Sequence, residues 1–333
     1  MVVRPISTAS IYQILFIASS LIYTLKAQYS DSDESMQTNE EQEFEVGPDP
    51  DKLKIKVVEN GIPETDDYRL YFKSQHGFVS PLNDIPLFVN LKERIYNMVV
   101  EIPKGTNVKL AMSLGEKLNP IKHEVQNGKL GYVHLAHVVP HHGYIWNYGA
   151  FPSTWENPNE NEAHTGYKGD GGPVDVVEIG DRVAKSGDVI HVKALGALGL
   201  IVDGKMDYKI IAIDVNDPKA AKMNEIHDVE TYCPGLMKDT VKWFEHYNVP
   251  KGKSKNTLAF NGEFKDREFA NNVTVKSFYK WLLLSIDKVK NPGVSLTNTV
   301  SGDDRYQGKI SFKDAAEIVK KQLAGNKLFT KVK

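Results

Sequence analysis

One cysteine, Cys233, stands among 333 residues, so no intrachain disulfide can form and the fold must rest on its core. No charge sign dominates either. The 41 Lys and Arg set against 43 Asp and Glu leave a net charge of −2, which excludes the broad basic face of a nucleic-acid binder. No internal repeat is visible, and the 41% hydrophobic content is ample for one large domain or two small ones. The one long apolar run, IYQILFIASSLIYTL from Ile11 to Leu25, is short for a bilayer span. It follows Arg4 and leads to Ala27 in KAQYS. That pattern reads as a signal peptide over residues 1–27, cleaved on the secretory route and leaving no membrane attachment; an uncleaved anchor is the alternative. A secreted chain without disulfides suggests a cytosolic type of domain sent to a secretory address. The triplet Asn272-Val273-Thr274 is a glycan acceptor pattern there.

From Gln28 to Asp51 the chain has no Lys or Arg and nine acidic residues, so residues 28–66 are expected to be an acidic, disordered leader, with the folded domain over 67–333. Alternating apolar stretches predict strands in YRLYF from Tyr68, NMVVEIP from Asn97, NVKLAM from Asn107, GDVIHVKALGALGLIV from Gly187 and DYKIIAIDV from Asp207. Helical periodicity follows in Pro234 to Val249, Asp266 to Val289 and Phe312 to Gly325. Strands first and helices later predict an α+β domain, a barrel with helices packed against it.

Carboxylates recur at turns of the strand-rich part: Glu101, Asp170, Asp175, Asp203, Asp207, Asp214 and Asp217. Several of them in one cavity would suit Mg2+, a hard cation that takes oxygen ligands, while Lys109, Lys193 and Lys209 lie on the same strands as partners for a phosphate. A second cluster, His134, His137, His141 and His142, invites a zinc reading. On a strand His134 and His137 face opposite sides, which argues against it. The glycines of LGALGL, Gly196 and Gly199, open no helix and so form no nucleotide loop.

The segments NMVVEIPKGTN (Asn97 to Asn107), PHHGYIWNYGAFPSTWENP (Pro140 to Pro158), GDGGPVDVVEIG (Gly169 to Gly180), VKALGALGLI and DYKIIAIDVNDP resemble the eukaryotic soluble inorganic pyrophosphatases of family I, in unbroken order over about residues 67–290. The resemblance implies a five-stranded OB-like closed β-barrel flanked by α-helices, a homodimer, and Mg2+-dependent hydrolysis of pyrophosphate to two phosphates. Carried over one position at a time, it makes Asp170, Asp175 and Asp207 metal ligands. It makes Lys109, Lys209, Tyr247, Tyr148 and Tyr144 contacts to phosphate, with Glu101 supporting the site.

Five positions depart from the family pattern. Where the resemblance requires Glu, Arg, Asp, Asp and Lys, this chain has Ala111, Gly131, Gly172, Val202 and Asn248. Gly172 stands at the position of the acid that helps generate the nucleophile. The alternation of strand side chains turns Asp203, next to Val202, to the opposite face. Together these departures imply a secreted family member with weak or absent hydrolysis and fewer Mg2+ ions. The remaining site would bind metal, phosphate or pyrophosphate, or a protein partner. An active secretory-pathway pyrophosphatase with a substitute base such as Tyr148 is the alternative.

Overall fold

The computed structural model describes residues 53–126, 129–131, 143–300 and 305–329. The stretch read as a signal peptide, the acidic run up to Asp51 and the four histidines from His134 to His142 lie outside the described residues. Ordered structure begins earlier than the boundary expected at 67. Strand β1 (Lys56–Asn60) pairs antiparallel with β2 (Arg69–Lys73), because Val57 and Val58 give the end of the leader an apolar pair to bury.

The barrel is built from β3 (Ile95–Ile102), β6 (Asn147–Ala150), β7 (Asp175–Glu178), β8 (Val189–Val202) and β9 (Lys205–Asp214). Pairing runs β9-β7-β6-β3-β8 and returns from β8 to β9, so five strands close on themselves as expected for an OB-like barrel. Both faces of these strands are covered. Val99, Val177, Leu198 and Ile211 belong to one apolar cluster, and Met98, Val176, Ala197 and Ile210 belong to a second. This explains why β8 and β9 read as nearly continuous apolar runs. The short strands β4 (Leu110–Met112) and β5 (Ile121–His123) join β1 and β2 in a smaller sheet.

Between β8 and β9 the chain reverses in two residues, Asp203 and Gly204, with φ of +50° and +76°. An Asp-Gly pair with both φ positive is the tight hairpin turn that fits the twist of two antiparallel strands.

Helices α1 (Leu236–His246), α2 (Arg267–Ser285) and α3 (Phe312–Phe329) follow; the first two lie within the ranges the periodicity gives, and the third runs four residues past the expected end at Gly325. Asp266 caps α2 by accepting from the Phe269 amide at 2.8 Å. The glycan acceptor triplet lies inside α2, with Thr274 fully buried and its hydroxyl donating to the Ala270 carbonyl at 2.9 Å. Beyond α2 the chain folds back across the domain. Buried Asp84 accepts from the backbone amides of Ser80, Thr299 and Val300 at 2.7–2.9 Å, fastening that return segment to the turn that precedes β3. Among the described residues no helix is long and apolar enough to cross a membrane.

Candidate functional site

The parallel pairing of β7 with β9 creates the centre of the site, because its register sets Asp175 opposite Lys209. Asp207, two residues before Lys209 on the same strand, points to the same face. The Lys209 ammonium lies 2.5 and 2.7 Å from the two Asp207 oxygens and also donates to Asp175. Tyr148, on β6, donates its hydroxyl to Asp175 and stands 3.1 Å from the ammonium. Burial alone would lower the Lys209 ammonium, but Asp175 and Asp207 reverse that and hold it well above the usual lysine range. Burial pushes the Asp207 carboxyl up to about 7, against the pull of Lys209.

The glycine turn is held against the loop before it. Gly171 N donates to the Glu156 carbonyl at 2.9 Å, Glu156 N to the Gly172 carbonyl at 2.8 Å, and the Trp155 indole to the Gly171 carbonyl at 3.1 Å. Gly171 has φ +94°, a conformation that favours glycine. Asp170 sits at the exposed rim and accepts from the Gly172 amide at 2.7 Å. At Gly172 the Asp170 side chain crowds the space where a Cβ would stand. A Cβ there would meet nothing nearer than the Asp170 carboxylate, at 3.2 Å, and its φ is outside the left-handed range.

The turn brings Asp170 next to Asp207 and next to Glu156, which sequence reading missed. Ligand oxygens of Glu156, Asp170 and Asp207 all lie within 4.8 Å of one another. In the sequence Glu156 is one acid within WENP and carries no periodicity that would set it apart from a solvated turn residue. The all-oxygen donor set fits a hard divalent cation.

The other expected residues surround this centre. Buried Glu101 accepts from the Met112 amide at 2.7 Å, and burial together with the nearby Asp175 charge pushes its carboxyl up to about 8. Lys109 pairs with Glu124 at 2.5 Å. Tyr247 stacks on Trp243 with ring centroids 5.4 Å apart, and Tyr144 packs against both Trp243 and Tyr148. Burial raises the Tyr247 and Tyr144 hydroxyls and lifts the Tyr148 hydroxyl well above its ordinary value.

The departing positions are also placed. Ala111 is half-buried on β4, and Val202 is the last, half-buried residue of β8. Gly131 accepts from the Lys109 amide at 2.9 Å and donates to the Glu124 carbonyl at 2.6 Å, and a Cβ on it would stand 3.5 Å from the Cβ of Lys109. Asn248 is buried, its amide donating to Asn256 Oδ1 at 3.2 Å. Asp203 forms the exposed tip of the β8–β9 turn and pairs with Lys253 at 2.8 Å. It therefore supplies no carboxylate at the level of Val202, and the cause is the tight turn rather than strand alternation.

A closed five-stranded barrel whose cleft gathers carboxylates around a buried ammonium fits a class of proteins that bind a hard cation. Comparison with known proteins narrows it. The family model described as inorganic pyrophosphatase matches residues 98–282. The inorganic pyrophosphatase of Drosophila melanogaster is 49% identical over 252 residues, 75% of this chain and 74% of that one. The human inorganic pyrophosphatase is 43% identical over 254 residues, 76% of this chain and 86% of that one. Among solved structures, the inorganic pyrophosphatase of Schistosoma japonicum has a TM-score of 0.72 at 44% identity, covering 76% of this chain and 88% of that one. A truncated vacuolar soluble pyrophosphatase of Trypanosoma cruzi, solved with PPi, has a TM-score of 0.66 at 36% identity, covering 76% and 98%. The chain belongs to the inorganic pyrophosphatase family, whose members hydrolyse pyrophosphate with Mg2+.

Proposed function

We propose that this chain is a pyrophosphatase-family protein of the secretory pathway in which hydrolysis is weak or lost. The barrel is kept as a binder of a divalent cation with phosphate or pyrophosphate, or of a protein partner, and it acts as a homodimer. The observation that carries this reading is the geometry around Gly172. The position that would hold the acid has no side chain, and Asp203, the neighbouring candidate to replace a lost carboxylate, is held by Lys253 at an exposed turn. Three further losses, at Ala111, Gly131 and Asn248, remove one acid and two cations around the same cleft. When bound, Mg2+ would neutralise phosphate charge and acidify water. Asp170, Asp207 and Asp175 are the family positions left to hold it, and Lys109, Lys209 and Tyr247 are those the family pattern gives to a phosphate.

Rescue by Tyr148 as a substitute base runs against its surroundings. A buried hydroxyl already donating to Asp175, and held well above its ordinary pKa, is not ionised at neutral pH. Losing a general base costs about 10²–10⁴-fold and losing an electrostatic clamp about 10²–10³-fold, without additivity inside one constellation. Phosphate release from magnesium pyrophosphate by the purified protein should therefore be at least about 10³-fold slower than by the fly relative under the same conditions. Turnover within about tenfold of that relative would overturn the reading and require a base among groups now assigned to binding.

A further inference from the structure

A groove of about 700 Å3 opens at the end of the barrel away from the carboxylates. Asp214, on its wall, lies seven residues beyond Asp207 on β9, about 23 Å along the strand. One wall is β1 with the residue before it, where Ile55 and Val57 turn toward the barrel core; the other is the loop over residues 185–190 that leads into β8. β1 is an edge strand. It pairs with β2 along one side and with no described strand along the other, which leaves a row of backbone N–H and C=O groups open to a further strand. Directly opposite Lys56 on β2 stands Lys73, a like-charge pair that disfavours the edge as it is. The acids of the groove do not relieve it, since Asp188 and Asp214 lie 3.7 and 4.0 Å from the Arg182 guanidinium and Glu59 faces the Tyr68 hydroxyl. Lys54, Lys56 and Lys185 form no ion pair among the described residues.

The chain just before this edge supplies what it lacks. Glu43, Phe44, Glu45 and Val46 alternate acid with apolar, the period of a strand, and Gly47, Pro48, Asp49 and Pro50 after them are turn residues. The described structure begins at Leu53, directly before β1, so residues 47–54 need only reverse the chain across one strand spacing of about 4.8 Å. We propose that residues 43–46 add to the open edge of β1 as an antiparallel strand, with Val46 opposite Ile55, Glu45 opposite Lys56 and Phe44 opposite Val57. Alternation then turns Phe44 and Val46 into the groove beside Ile55 and Val57, and sets Glu45 on the exposed face beside Lys56 and Lys73. A slip of one residue would place Glu45 in the apolar wall, so the pattern specifies the register. The acidic leader is thus an intramolecular partner of the barrel, and this holds whether or not pyrophosphate is turned over.

The test is amide hydrogen exchange of the full chain, read by mass spectrometry on peptides covering residues 42–47 and 54–60. Amides of residues 43–46 should exchange at least about tenfold more slowly than those of an unstructured peptide of the same sequence. The double variant Phe44→Asp, Val46→Asp should return them to the unstructured rate and should also speed exchange in 54–60, because alternate β1 amides face the added strand. Lys56→Glu, which sets a like charge opposite Glu45, should reduce the protection of 43–46 by about two- to fivefold. These changes fall on the leader or on an exposed side chain, so the barrel folds in every variant. Exchange of 43–46 at the unstructured rate in the parent chain would overturn the proposal, as would protection that the double variant removes without any change in 54–60. Protection that rises with protein concentration would assign the edge to a second copy of the chain and overturn it equally.

Discussion

Returning five side chains to the cleft together, Ala111→Glu, Gly131→Arg, Gly172→Asp, Val202→Asp and Asn248→Lys, should raise phosphate release from magnesium pyrophosphate by about 10²–10⁴-fold, the range that a general base supplies. Gly172→Asp alone should gain less than about tenfold, because groups that act as one unit give little when restored singly. The local geometry makes some of these changes easier than others. At Gly172 the nearest atom to an added Cβ is the tip of the Asp170 side chain, which can swing aside. At Gly131 an added Cβ meets the Glu124 carbonyl at 3.0 Å, so the backbone must yield by a few tenths of an ångström. At the buried Asn248, a lysine must displace the bond to Asn256. Three added carboxylates also crowd acids in a partly dry cleft, so the variant should be less stable in EDTA than in Mg2+. A folded variant that binds Mg2+ yet releases no phosphate would mean that the defect lies outside these five positions.

The second large effect is on stability. Lys209→Met removes the ammonium that neutralises Asp175 and Asp207, and breaking a buried pair by deleting one partner costs about 3–5 kcal/mol. The lower end of that range is expected because the orphaned acids can protonate. With Lys209 present the Asp207 carboxyl stands at about 7, and without its pull it rises further. A carboxyl whose folded pKa lies above its unfolded value opposes folding in its charged form, so the deficit grows as pH rises. Urea unfolding without divalent ions should show a small deficit near about pH 5 and the largest above about pH 8, since unfolded Asp titrates near 3.9. Millimolar Mg2+ should recover part of it by supplying another positive charge to the same acids. Equal urea midpoints for variant and parent across that range would show that the ion pair contributes nothing net.

Much of this architecture is legible in the chain. The long strands, the three helices and the α+β order follow from period-2 and period-3.6 patterns that reflect burial. The family resemblance brings Asp175, Asp207, Lys209 and Tyr148 forward as candidates, and the structure brings these four together. Two features were not legible, each for a physical reason. The contact of Asp175 with Lys209 depends on parallel register between β7 and β9, which no local pattern encodes. Glu156 is set apart by burial in a loop that the glycine turn covers, so its meaning comes from neighbours distant in the chain. Strand β1 lay beyond the expected boundary because the acidic composition upstream outweighed a short apolar pair.

The anchorage of Asp84 bears on where this protein can be cut. Thr299 and Val300 lie more than two hundred residues from it along the chain and well past the stretch matched by the family model, which ends at 282. A polypeptide trimmed to that homology boundary would leave the Asp84 carboxylate with one amide donor, Ser80, and would strip Val294 and Leu296 from the core they help fill. An excisable unit therefore reaches from β1 at least past the segment around Val300, and α3 belongs to it as well, since Ala315 and Val319 are buried against Tyr71 and Leu118. Soluble expression of a chain ending at 282, with the melting behaviour of the whole, would contradict that boundary.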